Sequence, residues 1–109
     1  GSTTEREGER AALAKNILRK AVDRAQSQGI SIYKWVEFCN AEPDFWTLYF
    51  VYKTRDELVR ERNTGNISKL QKIVIDHFMD EKFSLLPYQI RFTSEQEIEE
   101  NGGAWKFFR

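Results

Sequence analysis

Cysteine, histidine and methionine each occur once in the 109 residues, and proline only twice. A single cysteine cannot close an intrachain disulfide. One cysteine and one histidine fall short of the four nitrogen and sulfur ligands of a structural zinc site. No metal and no cofactor is therefore expected. Net charge is also missing, because 17 Lys and Arg balance 17 Asp and Glu. That excludes a broad, charge-driven nucleic-acid surface and leaves room only for a local basic one. No apolar run approaches the roughly 18 residues of a membrane helix, so no membrane partner is expected. With a lone thiol and no secretory signal in view, an intracellular, cytoplasmic location is expected. The sequon Asn66-Ile67-Ser68 is then a chance match. Gly1-Ser2 reads as a cloning remnant. Residues 1–3 are expected to be a disordered start and 4–109 one domain, part of a larger protein.

What is abundant is aromatic: eight Phe, four Tyr and three Trp. Each ring buries a large area, so even a short chain gains a workable core. Three long or clear stretches carry helix signals. Residues 4–28 open with a Thr4/Glu7 capping box and repeat Ala14, Ile17, Leu18, Ala21 and Ala25 at helical spacing, up to a Gly29 stop. A second box at Thr54/Glu57 starts a short helix to Arg62, ended by Asn63-Thr64-Gly65. Residues 66–82 set Ile67, Leu70, Val74 and Phe78 on one stripe.

Between them lie β-branched and aromatic runs. Residues 30–39 fit a strand through the alternation of Ile30, Ile32, Val36 and Phe38, and also fit a helix capped by Ser31. Asn40 to Asp44 is a turn around Pro43. Residues 45–53 are apolar on both alternating faces, as a central strand would be, and also fit a helix with Phe45, Leu48, Tyr49 and Tyr52 on one stripe continuing to Val59. Tyr88 to Phe92 reads as a strand, Ser94/Glu97 as a third capping box, Asn101-Gly102-Gly103 as either a helix stop or a hairpin turn, and Ala104 to Arg109 as a last strand. The expected fold is a single small α+β domain of order α-β-β-α-β-β, its helices packed on an antiparallel sheet. The alternative is an all-α helical bundle.

Catalysis requires a nucleophile, a base or a metal in a defined cluster, and the sequence offers poor material. His77, with Asp76 and Asp80 near it, reads as a helix histidine, and no nucleophile elbow surrounds any serine. Cys39 reads as a small buried hydrophobe. Glu95, Glu97, Glu99 and Glu100 lack the spacing of a calcium loop and read as a solvated helix start. If that run has a role, it is contact with a basic partner. The expected function is a non-enzymatic protein–protein interaction or adaptor domain, its partner another protein.

Between Lys53 and Lys72 stand six basic residues (Lys53, Arg55, Arg60, Arg62, Lys69, Lys72) and three acidic ones. With Trp46, Tyr49 and Tyr52 alongside, this suits single-stranded nucleic acid, the second functional reading. Trp35, Trp46 and Trp105 cannot all be central in so small a core, so at least one is expected at the surface. An aromatic–arginine surface of Trp46, Tyr52, Arg55 and Arg60 is the expected partner-binding site. Trp46 and Tyr52 would share one side of a strand; the alternative is that both are plain core.

The segments Tyr33-Lys34-Trp35-Val36-Glu37-Phe38, Phe45-Trp46-Thr47-Leu48 and Lys72-Ile73 with Phe78 resemble a regulator-of-G-protein-signalling helical domain. That family places a Phe-Trp pair early in a central helix. The resemblance spans about half the chain. The family's later helices have no counterpart, and its Asn-bearing loop is absent at 84–91. It implies a helical signalling regulator and carries over no functional residues.

Overall fold

The computed structural model describes residues 2–39 and 43–108. Helix α1 (Ser2–Ser27) is followed by strand β1 (Lys34–Phe38), a 3-10 turn at Pro43–Phe45 and strand β2 (Thr47–Tyr52). Helices α2 (Arg55–Asn63) and α3 (Asn66–Asp80) lead through a 3-10 turn at Pro87–Gln89 to strand β3 (Ile90–Ser94). Two short helices, α4 (Glu95–Glu100) and α5 (Ala104–Phe107), complete the chain. The fold is a small α+β domain. Residues 2 and 3, expected outside the fold, belong to α1. The Thr4/Glu7 pair therefore lies inside the helix, and its side chains fall outside those described. Of the expected turn at 40–44, residues 40–42 lie outside the described residues.

The sheet order is β1-β2-β3, with the doubly apolar run 45–53 supplying the central strand. β1 and β2 are antiparallel, with Trp35 opposite Phe50. β2 and β3 run parallel, with Leu48 beside Ile90 and Phe50 beside Phe92. The sheet is thus mixed, where an antiparallel one is expected from the sequence. The reason is the α2–α3 connection. A hairpin joins antiparallel neighbours, whereas a helical crossover brings the chain back in the same direction. The sheet also overturns the all-α alternative and the helical likeness, since residues 34–38 and 47–52 are strands.

The core lies between the sheet and the long helices. Ala14, Ile17, Leu18, Ala21 and Val22 of α1 and Leu70, Val74 and Phe78 of α3 are buried together with Trp46, Leu48, Phe50 and Ile90. Alanines at the contact let α1 sit close to its neighbour. Gly29, at φ +83°, supplies the left-handed residue that ends α1, and the Ile30 N–H returns to the Ala25 carbonyl at 3.1 Å. Both later caps are real: Thr54 Oγ1 accepts from Glu57 N at 3.2 Å and Ser94 Oγ from Glu97 N at 3.1 Å. The reciprocal carboxylates reach one residue further back, to Lys53 N at 3.3 Å and to the Thr93 hydroxyl at 3.0 Å.

Candidate functional site

The four residues expected to form a contact surface do not form one. The strand parity is as expected: Trp46, Leu48, Phe50 and Tyr52 share a side. That side is the one the helices cover. Trp46 is 1% exposed, its ring packed on Phe83 at 5.1 Å and Phe78 at 5.9 Å. Its carbonyl accepts from the buried Gln89 Nε2 at 2.9 Å. Tyr52 is 3% exposed, packed with Leu58 and Ile67. Arg55 and Arg60 are exposed, as expected. Arg60 and Tyr52 line one small cavity of about 130 Å³ with Ser31, Glu57 and Glu61, yet no aromatic ring is offered to solvent there.

The basic and acidic segments, read from the sequence as separate surfaces, meet. Arg55 Nη2 lies 2.6 Å from Glu100 Oε2, and the Arg55 amide donates to Gln96 Oε1 at 3.1 Å. The hydrogen bond to Arg55, and then its charge, hold the Glu100 carboxyl below its ordinary range. Lys34 Nζ lies 2.6 Å from Glu95 Oε1, and this hydrogen bond holds the ammonium above its ordinary value.

The residues with chemistry are otherwise engaged. His77 is half-buried on α3, its Nδ1 2.8 Å from the Ile73 carbonyl. A carbonyl only accepts, so that nitrogen carries the proton. Burial pushes the Cys39 thiol from 9.0 to about 12, so thiolate is scarce at neutral pH. Among the described residues no group of three His, Cys, Asp or Glu side chains is placed to hold a metal ion, and no helix is long and apolar enough to cross a membrane.

The surface with most to offer is the other face of the sheet. Alternation turns Val36 and Phe38 of β1, Tyr49 and Val51 of β2, and Arg91 and Thr93 of β3 away from α1 and α3. The elements that approach this side are α4 and α5. Ile98 of α4 is buried, and the last turn brings Phe107 and Phe108 onto Tyr49 at 6.0 and 5.0 Å. Phe38 stands 5.7 Å from Phe108 and 6.4 Å from Tyr49, and the Arg91 guanidinium lies 5.8 Å over the Tyr49 ring. Phe38 remains 39% exposed and Trp105 79% exposed. Beside this cluster opens a cavity of about 360 Å³. Val36, Val51, Ile98, Ala104 and Phe108 form its apolar lining, with Lys34, Glu95 and Glu99 at polar positions.

Sequence reasoning missed this face because it took 104–109 as a strand returning to the core. The segment is instead the short helix α5, set off by Gly102 and Gly103 at φ +92° and +90°. Two successive positive φ values are what glycine tolerates and other residues do not. That pair, followed at once by Trp105, Phe107 and Phe108, was the available signal: a reversal that carries Phe107 and Phe108 onto a nearby surface. No protein-family model matches this chain, and neither curated proteins nor solved structures match it.

Proposed function

We propose that this domain is a non-enzymatic protein-binding module, an adaptor whose contact surface is the sheet face flanked by α4 and α5. The observation that carries the reading is a largely apolar cavity of about 360 Å³ lined by Phe108, which packs on the exposed Phe38 at 5.7 Å, and by Ala104 of α5, the helix that carries the exposed Trp105. A core already exists on the opposite face, so rings left in solvent here stabilise the fold little. Interface cores are enriched in Trp, Tyr, Phe and Arg, and a few such anchors dominate binding. Phe38, Tyr49 and Arg91 supply that composition on one face of the sheet, and α5 adds the exposed Trp105. A buried free thiol accords with an intracellular setting. The single-stranded nucleic-acid reading loses support, since two of its stacking rings, Trp46 and Tyr52, are buried and Arg55 is paired with Glu100.

The test is capture of a partner from nuclease-treated extract on the immobilised domain, compared between variants. Phe38→Asp with Trp105→Asp abolishes capture while far-UV circular dichroism stays unchanged. Arg55→Glu with Arg60→Glu leaves capture intact. The opposite pattern, or capture that disappears with nuclease, refutes the reading. Steep loss with added salt alongside nuclease sensitivity identifies a nucleic-acid ligand instead.

A further inference from the structure

We propose that the cavity between β1 and α4 receives an arginine side chain of the protein partner; the proposal rests on the protein-binding reading and names what the surface recognises. The floor is aliphatic and aromatic: Val36, Val51, Ile98 and Phe108. The rim is acidic. Glu95 and Glu99 both line the cavity, and Lys34 is the cation facing them. Lys34 is already committed to Glu95 at 2.6 Å. On the same helix Glu97 accepts from the Thr93 hydroxyl and Glu100 is tied to Arg55. Glu99 takes part in no ion pair among the described residues. One carboxylate charge therefore stands uncompensated at the mouth of an apolar cavity.

That combination selects its occupant. An arginine or lysine lays its methylene stem along apolar surface and keeps its charged head at the polar margin. Arginine fits better, because its planar head can pair with a carboxylate and stack on a ring, here Glu99 and Phe108. A wholly apolar side chain would fill the floor but desolvate Glu99 with no partner. An acidic one would meet like charge at the rim, a cost that excludes wrong partners. The cavity volume of about 360 Å³ lies within the ordinary range for sites that enclose a ligand group.

The experiment selects peptides from a displayed random hexapeptide library on the wild-type domain, with Val36→Lys as the counter-target. Enriched peptides are expected to share an arginine at one position and to lose capture on Val36→Lys. In a synthetic copy of one such peptide, replacing that arginine by citrulline is expected to weaken binding about fivefold, the upper range for a partly exposed ion pair. Glu99→Gln weakens the arginine peptide equally and leaves the citrulline peptide unchanged, the signature of direct coupling. Val36 lies in a strand, so Glu99→Lys, at an exposed helix position, provides a second variant that does not touch the sheet; it turns the preference toward glutamate-bearing peptides. Peptides that depend on Val36 but share no basic position, or bind equally with citrulline, overturn the arginine proposal and leave the protein-binding reading standing. If no selected peptide depends on either Val36 or Glu99, both fall.

Discussion

On the side of the sheet that meets α1 and α3, Leu48 and Phe50 are 1% exposed and Ile90 3%. On the other side Val51 and Thr93 are 1% exposed as well, but Val36 and Tyr49 are half-buried and Phe38 is open to solvent. The strands are the same, so the difference lies in what covers them. The first side is covered by helices of 26 and 15 residues, each with a continuous apolar stripe. The second has helices of six and four residues, too short to be stable without docking. The last turn is held by ring contacts of Phe107 and Phe108 to Tyr49 and Phe38, and α4 by buried Ile98 and the Lys34–Glu95 and Arg55–Glu100 pairs, rather than by a stripe. A face closed by long helices serves folding. On the proposed reading, a face half-closed by short ones keeps rings and a cavity within reach of a partner.

The sharpest way to break this comparison is to remove a ring from each side. Trp46→Ala is expected to lose about 3–5 kcal/mol, because a large buried ring leaves a cavity that its neighbours cannot fill. Phe108→Ala, a half-buried ring on the other side, is expected to lose roughly half as much. Urea denaturation of both variants measures the ratio. Equal losses would mean that both faces are core and that the second is unsuited to a partner.

The next effect concerns the junction that aims α4. Ser94 is fully buried and its hydroxyl accepts from Glu97 N at 3.1 Å, so it fixes the direction in which α4 leaves β3. Ser94→Ala is expected to cost about 1–2 kcal/mol, the upper part of the range for a lost cap. Amide exchange should quicken across residues 95–100 and stay slow in α3. Uniform quickening would place the cap in the main folding unit and weaken the distinction between the two covers.

Tyr52 lies on the sealed side and carries its one visible flaw. Among the described residues its hydroxyl is the buried side-chain atom without a hydrogen-bond partner. Tyr52→Phe removes that group while keeping the ring, and is expected to raise stability by about 1 kcal/mol at neutral pH. Burial, then the charge of Glu61, push the hydroxyl up from 10.0 to about 12. The folded state therefore holds this proton more tightly than the unfolded chain does. Its contribution is complete below pH 10 and is lost as the pH rises toward 12. Cys39 adds a loss of the same sign from pH 9 upward. Urea midpoints measured across this range should fall for the wild type, and less steeply for Tyr52→Phe. A variant with an unchanged slope would show that the hydroxyl titrates in the same way folded and unfolded.

Much of the sealed side was legible in the sequence, and little of the open one. The stripes Ala14–Ala25 and Ile67–Phe78 announce helices because long repeats average out local ambiguity. The doubly apolar run 45–53 announces a central strand for the same reason that it misleads about the site. Periodicity says that Trp46 and Tyr52 share a side, but not which side the helices take. The parallel pairing of β3 depends on a tertiary crossover that no local pattern encodes. The segment 104–108 is too short for periodicity, and its aromatic content favours strand, so the glycine pair that reverses the chain decided against its propensity. Of the expected contact residues, Arg55 and Arg60 are at the surface because charge alone keeps them there. The expectation that one tryptophan faces solvent holds at Trp105.

Trp105 makes the smallest stability prediction and the most discriminating one. At 79% exposed it has little apolar area to lose, so Trp105→Ala is expected to change stability by no more than about 0.5 kcal/mol. The same change should abolish capture of the proposed protein partner, since an exposed indole that follows cavity-lining Ala104 is the kind of anchor that dominates an interface. The pairing of a negligible folding effect with a large binding effect is opposite to the behaviour expected of Trp46. Tryptophan emission offers an independent check. Trp105→Ala should remove the component most readily quenched by acrylamide, leaving emission from Trp46 and the half-buried Trp35. A loss of more than about 1 kcal/mol on Trp105→Ala would show that this ring seals α5 onto the sheet, too large an effect for an exposed surface residue. The open face would then be a second, smaller core, and the contact surface would have to be sought elsewhere.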